Sequence, residues 1–337
     1  MCLSSKRVFI TGATGFIGGA LALRLAEDGA RVVGLARSPA KGAFLERAGV
    51  EVIQGDITAP ERMRAVIAGS DVVFHLAAAA GGSRGSVMAE VNVRGTENVL
   101  EAARAAGVTR FVHVSTISVY GYDRQGVVSE DAPLRPTGDA YGDTKAAGER
   151  LALKSDLPVA VVRPAQVYGP RSAPWTLRML ALTRWFVPLV GDGGGACHPI
   201  YIDDLIDLLV LAGTHPDALG QVFNDSPDPP STWRDFLGAY GRMHGHQRFL
   251  RVPRWLLAPP LAALDPALRL TERRMPLRNM LRFMTGHVTF VNRKARVLLG
   301  WEPRVSLQEG MRRTEAWLRA EGYLPARPPG QRPASRG

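Results

Sequence analysis

A glycine-rich turn near the N-terminus constrains the fold of this chain more than any other stretch. The apolar, β-branched segment 8–11 leads into Gly12, Gly15 and Gly18, and the segment 20–26 that follows has a composition that favours helix. Glycines at these positions keep a strand-to-helix turn tight, and they let backbone N–H groups and the helix N-terminus approach a pyrophosphate. The spacing is GxxGxxG, which differs from the standard GxGxxG. The position between strand and helix, rather than the glycines alone, therefore predicts a dinucleotide site.

The segments after this turn alternate between strand and helix patterns. Further strands are predicted at 31–35, 50–57, 71–78, 110–116 and 159–164, with helices at 61–68 and 92–106 between them. This alternation predicts an α/β fold with a doubly wound parallel sheet, whose sites lie at the C-terminal ends of the strands. His75 and His113 lie within strands, and we expect both to be packed in the core rather than catalytic.

The residues after the second strand indicate which dinucleotide is bound. An acidic residue there would accept hydrogen bonds from a ribose 2′-hydroxyl, but the chain has Ala36, Arg37 and Ser38. A guanidinium and a hydroxyl suit a 2′-phosphate, so the sequence favours NADP over NAD. The alternative is that Arg37 is a solvated loop charge that only stacks on the adenine.

Tyr141 and Lys145 carry the predicted chemistry. They lie four residues apart in a helical pattern, so both side chains share one helix face. A free phenol has a pKa near 10, and a neighbouring ammonium together with an oxidised nicotinamide would stabilise the phenolate. Tyr141 can then exchange a proton with a hydroxyl or carbonyl oxygen during hydride transfer. Thr116, at the end of the fifth strand, can hydrogen-bond to the same oxygen.

Composition excludes several other classes. With 46% hydrophobic and 22% charged residues the chain is expected to be globular, and its net charge of +11 is spread without interleaved aromatic platforms, which argues against nucleic-acid binding. The two cysteines, Cys2 and Cys197, form neither a disulfide framework nor a metal-like spacing. With no signal peptide and no apolar run of ~18 residues, we expect a cytoplasmic protein without a metal.

Taken together, these motifs resemble the extended short-chain dehydrogenase/reductase superfamily, with its epimerase/dehydratase and 3β-hydroxysteroid dehydrogenase-like branches. The resemblance covers nearly the whole chain and is carried by the segments 11–18, 75–78, 92–96 and 114–121 and by Tyr141 with Lys145. It implies a Rossmann-type sheet with a smaller, mostly helical C-terminal substrate-binding lid. It also implies that the catalytic serine or threonine of the family is Thr116, 25 residues before Tyr141, rather than Ser115 or Ser118.

The resemblance implies further site residues. Asn92 matches an asparagine that supports the active site, although it could instead cap a helix. Tyr141 and Lys145 are expected to contact the cofactor as well. The other implied cofactor contacts are Gly12, Gly15, Phe16, Ile17, Gly18, Arg37, Asp56, Ile57, Leu76, Ala77, Ala78 and Pro164.

The predicted domain division is interleaved. Residues 1–170 are expected to bind NAD(P), with 198–226 returning to that domain, while 171–326 form the lid and 327–337 a disordered tail. The apolar stretches 255–264 and 275–284 resemble the lids of the 3β-hydroxysteroid dehydrogenase-like and flavonol-reductase-like branches, which implies a bulky lipophilic substrate, steroid-like or flavonol-like. They could instead simply pack the lid's own core. A weak membrane-surface contact near 255–264 and a homodimer are left open.

Three functions remain open from the sequence. The first is an NAD(P)-dependent dehydrogenase or reductase of a secondary alcohol or ketone, and the second is a nucleotide-sugar epimerase or dehydratase with transient hydride transfer. The third is an NADP-binding sensor without catalysis, which the intact catalytic set disfavours. Residues 196–199 contain no arginine where sugar-nucleotide relatives often place one, although Arg163, Arg171 or Arg178 could substitute.

Overall fold

The computed structural model describes residues 3–257 and 276–326. The strands are β1 Arg7–Thr11, β2 Arg31–Ala36, β3 Glu51–Gln54, β4 Val72–His75, β5 Arg110–Val114, β6 Gly126–Val128, β7 Val159–Pro164, β8 Gln166–Tyr168, β9 Val187–Val190, β10 Ala196–Cys197, β11 Pro199–Tyr201, β12 Val222–Asp225, β13 Ser231–Thr232, β14 Phe249–Val252 and β15 Val288–Phe290. The helices are α1 Phe16–Glu27, α2 Ala43–Glu46, α3 Pro60–Ile67, α4 Gly85–Ala89, α5 Gly95–Ala105, α6 Ala140–Lys154, α7 Arg178–Leu182, α8 Ile202–Thr214, α9 Trp233–Met243, α10 Leu277–Thr285, α11 Arg293–Leu299 and α12 Leu307–Ala320.

Seven strands form one parallel sheet in the order β12-β7-β5-β4-β1-β2-β3. The strand order reverses at β1, which pairs with β2 on one side and with β4 on the other. In a doubly wound sheet, such a reversal opens a crevice at the carboxyl ends of the strands. The predicted fold class is confirmed. The edge strand β12 was not recognised individually in the sequence.

Helices cover both faces of the sheet, as a parallel sheet requires. Leu21 and Leu25 of α1 and Leu205 and Leu208 of α8 are buried against one face. The other face packs against α3, α5 and α6, where Met63, Val99 and Ala152 are buried. The interiors of the central strands β1, β4, β5 and β7 are therefore buried and mostly hydrophobic, although His113 of β5 is buried among them.

Three strands end earlier than the sequence pattern predicts. The strands predicted at 50–57, 71–78 and 110–116 end at Gln54, His75 and Val114. The residues beyond these ends turn over the carboxyl edge of the sheet instead of extending it. The expected helix 92–106 is also different, because a π-helical turn at Glu90–Arg94 precedes α5.

The C-terminal region is mostly helical and carries short strand pairs. β14 pairs with β9, β15 with β6, and β13 with β10, while β11 pairs with β8 beside the main sheet. Within the described residues no helix is long and apolar enough to cross a membrane. Residues 258–264 of the suggested membrane contact and the tail 327–337 lie outside the described residues, and the domain division remains a prediction.

Candidate active site

At Gly12 and Gly18 the turn between β1 and α1 leaves no room for a Cβ atom. Gly12 has φ +72°, and a Cβ there would lie 2.8 Å from the backbone nitrogen of Ala77. A Cβ on Gly18 would lie 2.2 Å from the carbonyl oxygen of Gly12. Gly15 is the N-cap of α1, no side chain caps it, and the first turn has no acidic residue. The N–H groups of Phe16, Ile17 and Gly18 therefore form an anion-binding helix end that fits a dinucleotide's phosphates.

Thr11 and His75 fix the chain that faces this turn. The Thr11 hydroxyl accepts hydrogen bonds from the backbone N–H groups of Leu76 and Ala77, at 3.2 and 3.1 Å. The His75 ring lies 2.8 Å from Thr11 Oγ1 and 2.9 Å from Thr96 Oγ1. Burial and the charge of Lys145 lower the pKa of His75 to about 3. His75 is thus a neutral core residue, as expected.

Asn92 connects the loop after β4 to the helix that carries Tyr141. Its side-chain oxygen accepts from the Ala79 N–H at 2.7 Å, and its amide donates to the Ala79 carbonyl and to Thr144 Oγ1, at 2.9 and 3.0 Å. Asn92 lies inside a π-helical turn rather than at a helix N-terminus. The helix-cap alternative is therefore wrong. Such turns are frequent at functional sites.

Tyr141 lies in the first turn of α6. The N-cap residue Asp139 accepts a hydrogen bond from the Tyr141 N–H at 3.3 Å, which orients the start of the helix. Burial raises the pKa of Tyr141 and the charge of Asp139 adds to this, whereas a hydrogen bond with Thr116 lowers it. Thr116 also contacts Ser118 Oγ, 3.3 Å away. The interaction that lowers the pKa of Tyr141 brings its side chain and that of Thr116 together, and their catalytic roles stay predictions.

Lys145 is buried on the same helix face, one turn after Tyr141. Its ammonium donates to the carbonyl oxygen of Val114 at 2.7 Å. Burial lowers the pKa of Lys145 to about 8, partly opposed by Glu149. Among the chain's own groups the pKa of Tyr141 is raised rather than lowered. The acidification that the sequence argument ascribes to Lys145 together with an oxidised nicotinamide stays a prediction.

A buried ion pair that the sequence analysis missed holds α6 to the sheet. Arg163 of β7 donates from Nε to both carboxylate oxygens of Glu149, at 3.2 and 3.1 Å. It also donates to Tyr120 Oη and to the Glu130 carbonyl oxygen. Glu149 and Arg163 lie on different elements, α6 and β7, so no helical or strand spacing in the sequence indicates their pairing. Arg163 is therefore occupied and cannot bind a substrate's phosphates.

Arg37 and Asp56 are the residues predicted to contact the adenosine half of the cofactor. Arg37 is exposed at the end of β2. Asp56 lies beside that end, because the Gly55 N–H donates to the Ala36 carbonyl at 3.0 Å, and Asp56 Oδ1 accepts from Thr58.

The remaining implied cofactor contacts also differ in exposure. The Ile57 side chain is buried against Gly95 of α5, so it packs in the core rather than facing a ligand. Ala78 is exposed, and Pro164 is buried at the end of β7. Among the described residues, no cluster of three His, Cys, Asp or Glu side chains could hold a metal ion.

An open cleft begins next to Thr116. It encloses about 440 Å³ of empty space, part of which is open to solvent. Ile117, Ser118 and Tyr122 form one wall. The rest is contributed mainly by α10, β15 and the segment 196–198, and the remaining lining residues are Gly121, Arg124, Ala196, His198, Arg282, Phe283, Gly286, Val288 and Phe290.

The other arginines considered for phosphate binding lie elsewhere. The guanidinium of Arg171 lies 3.9 Å above the ring of Phe44, next to Gly19 in α1. Arg178 is exposed at the start of α7. Neither residue lines the cleft. The two arginines that the sequence analysis considered as substitutes for an arginine at 196–199 therefore lie outside this cleft.

Comparison with known proteins gives one family and several relatives. Residues 8–224 match the family described as NAD dependent epimerase/dehydratase. A 2-alkyl-3-oxoalkanoate reductase of Shewanella oneidensis is 32% identical over 93% of this chain and 86% of its own length. A UDP-glucose 4-epimerase of Mycolicibacterium smegmatis is 32% identical over 93% of this chain and 98% of its own. The solved epimerase Mth375 of Methanothermobacter thermautotrophicus superposes with a TM-score of 0.79 at 26% identity, covering 95% and 94% of the two chains.

Proposed function

Because the chain belongs to the NAD dependent epimerase/dehydratase family, we propose that it is an NAD(P)-dependent reductase that interconverts a ketone and a secondary alcohol on a bulky lipophilic substrate. The observation that carries the proposal is the cleft beside Thr116, whose walls include Ile117, Phe283 and Phe290. The relatives reported above are named as enzymes, so the sensor alternative has no support among them.

The reacting oxygen is placed between Tyr141 and Thr116. Tyr141 donates its phenolic proton to the carbonyl oxygen during reduction and takes a proton from the alcohol during oxidation. Thr116 donates a hydrogen bond to the same oxygen. When bound, the nicotinamide supplies or accepts the hydride, and its positive charge in the oxidised state favours the phenolate. Lys145 holds its ammonium at the end of β5, within reach of the ribose expected there.

The substrate class follows from the lining of the cleft. Apolar and aromatic side chains form much of its surface, and burial lowers the pKa of His198 to about 4, so this ring is neutral at physiological pH. Nε2 of the His198 ring donates a hydrogen bond to the carbonyl oxygen of Val288 at 2.9 Å. An alkyl-bearing ketone of the kind that names the Shewanella relative suits such walls.

NADP is the preferred cofactor in this proposal. Arg37 and Ser38 are exposed and directly follow β2, where a ribose 2′-phosphate would lie. A guanidinium and a hydroxyl can both donate hydrogen bonds to that phosphate. We expect Arg37→Ala to weaken NADPH binding about tenfold and NADH binding less than twofold, as measured by fluorescence titration. Equal losses for both cofactors would contradict a role in phosphate recognition.

A second candidate is a nucleotide-sugar epimerase, favoured by the relative that carries that name. One assay separates the two functions. The purified protein is mixed with NADPH and a 2-alkyl-3-oxoalkanoate, or with NAD⁺ or NADP⁺ and UDP-glucose, while the absorbance of the reduced nicotinamide and the products are followed. A loss of absorbance matched by formation of the hydroxy acid supports the reductase. UDP-galactose formation from UDP-glucose without net change of absorbance, and no reaction with the oxo acid, would overturn it.

A further inference from the structure

Two arginines give the cleft a positive charge that no carboxylate of residues 3–257 or 276–326 neutralises. Arg282 lies on the exposed side of α10, and its guanidinium makes no hydrogen bond or ion pair with another described residue. Arg124 is half-buried on the opposite wall and donates only to the carbonyl oxygens of Tyr120 and Pro133. Both line the cleft, whereas no Asp or Glu of the part of the chain that the structure describes does. Several N–H donors of the two guanidinium groups therefore remain available.

The nearest acidic groups already have partners. Asp139 lies behind Tyr122, whose hydroxyl donates to it at 3.1 Å. Asp123 faces Arg135 at 3.4 Å. Two cations that share a cleft repel each other, and a bound anion relieves this repulsion while accepting charge-assisted hydrogen bonds. The cleft thus combines an anion-binding edge with apolar walls.

We propose that Arg282, assisted by Arg124, binds the carboxylate of an oxo-acid substrate whose ketone lies between Tyr141 and Thr116. This inference rests on the proposed function and specifies its substrate class as a lipophilic acid. Ser118 lines the cleft and lies 3.3 Å from Thr116 Oγ1, so the anion-binding cleft is continuous with the group that holds the ketone. The aromatic rings of Phe283 and Phe290 then accommodate the alkyl chain. A carboxylate suits these walls better than a sugar pyrophosphate, which would leave polar hydroxyls against aromatic surface.

The test compares a substrate acid with its neutral methyl ester in two variants. Arg282→Ala removes the exposed guanidinium of the cleft, and Arg278→Ala removes another exposed guanidinium of the same helix that does not line it. We expect Arg282→Ala to raise the KM for the oxo acid about 10- to 100-fold, with kcat changed less than threefold and the KM for the ester unchanged. Arg282→Lys should restore part of the affinity, and Arg278→Ala should behave like the unmodified protein.

Binding without turnover separates this inference from the proposed function. Calorimetry measures binding of a 2-alkyl-3-hydroxyalkanoate, of its methyl ester and of UDP-glucose to the NADP-loaded protein. Arg282-dependent binding of the acid alone supports the carboxylate site, even if no reduction is detected. Equal affinity of Arg282→Ala and the unmodified protein for the acid overturns the inference, even if ketone reduction is efficient. Arg282-dependent binding of UDP-glucose but not of the acid also overturns it, in favour of a phosphate.

Discussion

The ammonium of Lys145 donates to the backbone carbonyl oxygen of Val114 across a distance of 2.7 Å. Val114 is the last residue of β5, two residues before Thr116. This hydrogen bond attaches the face of α6 that carries Tyr141 and Lys145 to the strand that precedes Thr116. The positions of Tyr141 and Thr116 relative to each other therefore depend on a buried charge.

Removing the Tyr141 hydroxyl tests its role in proton transfer. Tyr141→Phe keeps the ring but removes the group that exchanges a proton with the substrate oxygen. We expect kcat to fall about 10²- to 10⁴-fold, while the dissociation constant for NADPH changes less than threefold. Steady-state kinetics and fluorescence titration measure the two quantities. Loss of cofactor binding with turnover preserved would refute the assignment.

The buried Lys145 should make stability depend on pH in the alkaline range. Its pKa is about 8 in the folded chain and 10.5 in the unfolded chain, so between these values the unfolded state binds more protons. The free energy of unfolding of the natural protein, relative to that of Lys145→Met, should therefore rise by up to about 3 kcal/mol from pH 8 to pH 10.5. Urea denaturation of both proteins across this range measures the difference. A difference that stays constant, or falls, would contradict the lowered pKa.

Removing only one partner of the buried Glu149–Arg163 ion pair should lower the free energy of unfolding strongly. Both side chains are buried, so Glu149→Ala leaves the Arg163 guanidinium without a counter-charge, and we expect a loss of about 3–5 kcal/mol in unfolding free energy. Replacing both residues together, Glu149→Leu with Arg163→Met, should recover much of that loss. The exposed pair of Glu90 and Arg94, 3.7 Å apart, is the control, and Glu90→Ala should cost less than about 1 kcal/mol. Equal losses of unfolding free energy in Glu149→Ala and Glu90→Ala would show that burial does not determine how much an ion pair contributes to stability.

The first helix should not tolerate a methyl group at Gly18. In Gly18→Ala the new Cβ would lie 2.2 Å from the Gly12 carbonyl oxygen, so α1 must move away from the turn. We expect a loss of about 1–3 kcal/mol in stability and weaker NADPH binding, measured by denaturation and titration. Gly81→Ala is the matched control because a Cβ there has no neighbour within 4 Å. Unchanged cofactor affinity in Gly18→Ala would argue against phosphates resting on this turn.

Much of the fold could be predicted because its signals are local. The glycine turn, the apolar strands and the helix Leu307–Ala320 each follow from residues that are near one another in the sequence. The pairing of Tyr141 with Lys145 also needs only the helical repeat. The edge strand β12 was missed as a strand, because its short segment Val222–Asp225 becomes recognisable mainly through its pairing with β7.

The sequence by itself determined the doubly wound sheet and the glycine turn between β1 and α1, and it placed Tyr141 and Lys145 on one face of α6. The tertiary structure alone decided that Glu149 meets Arg163, that Arg124 and Arg282 share a cleft, and that the pKa of Tyr141 lies above its ordinary value. The physical reason is that helix and strand patterns arise from neighbouring residues. Ion pairs, cavities and pKa values depend instead on burial and on contacts between distant segments, which exist only after the chain has folded.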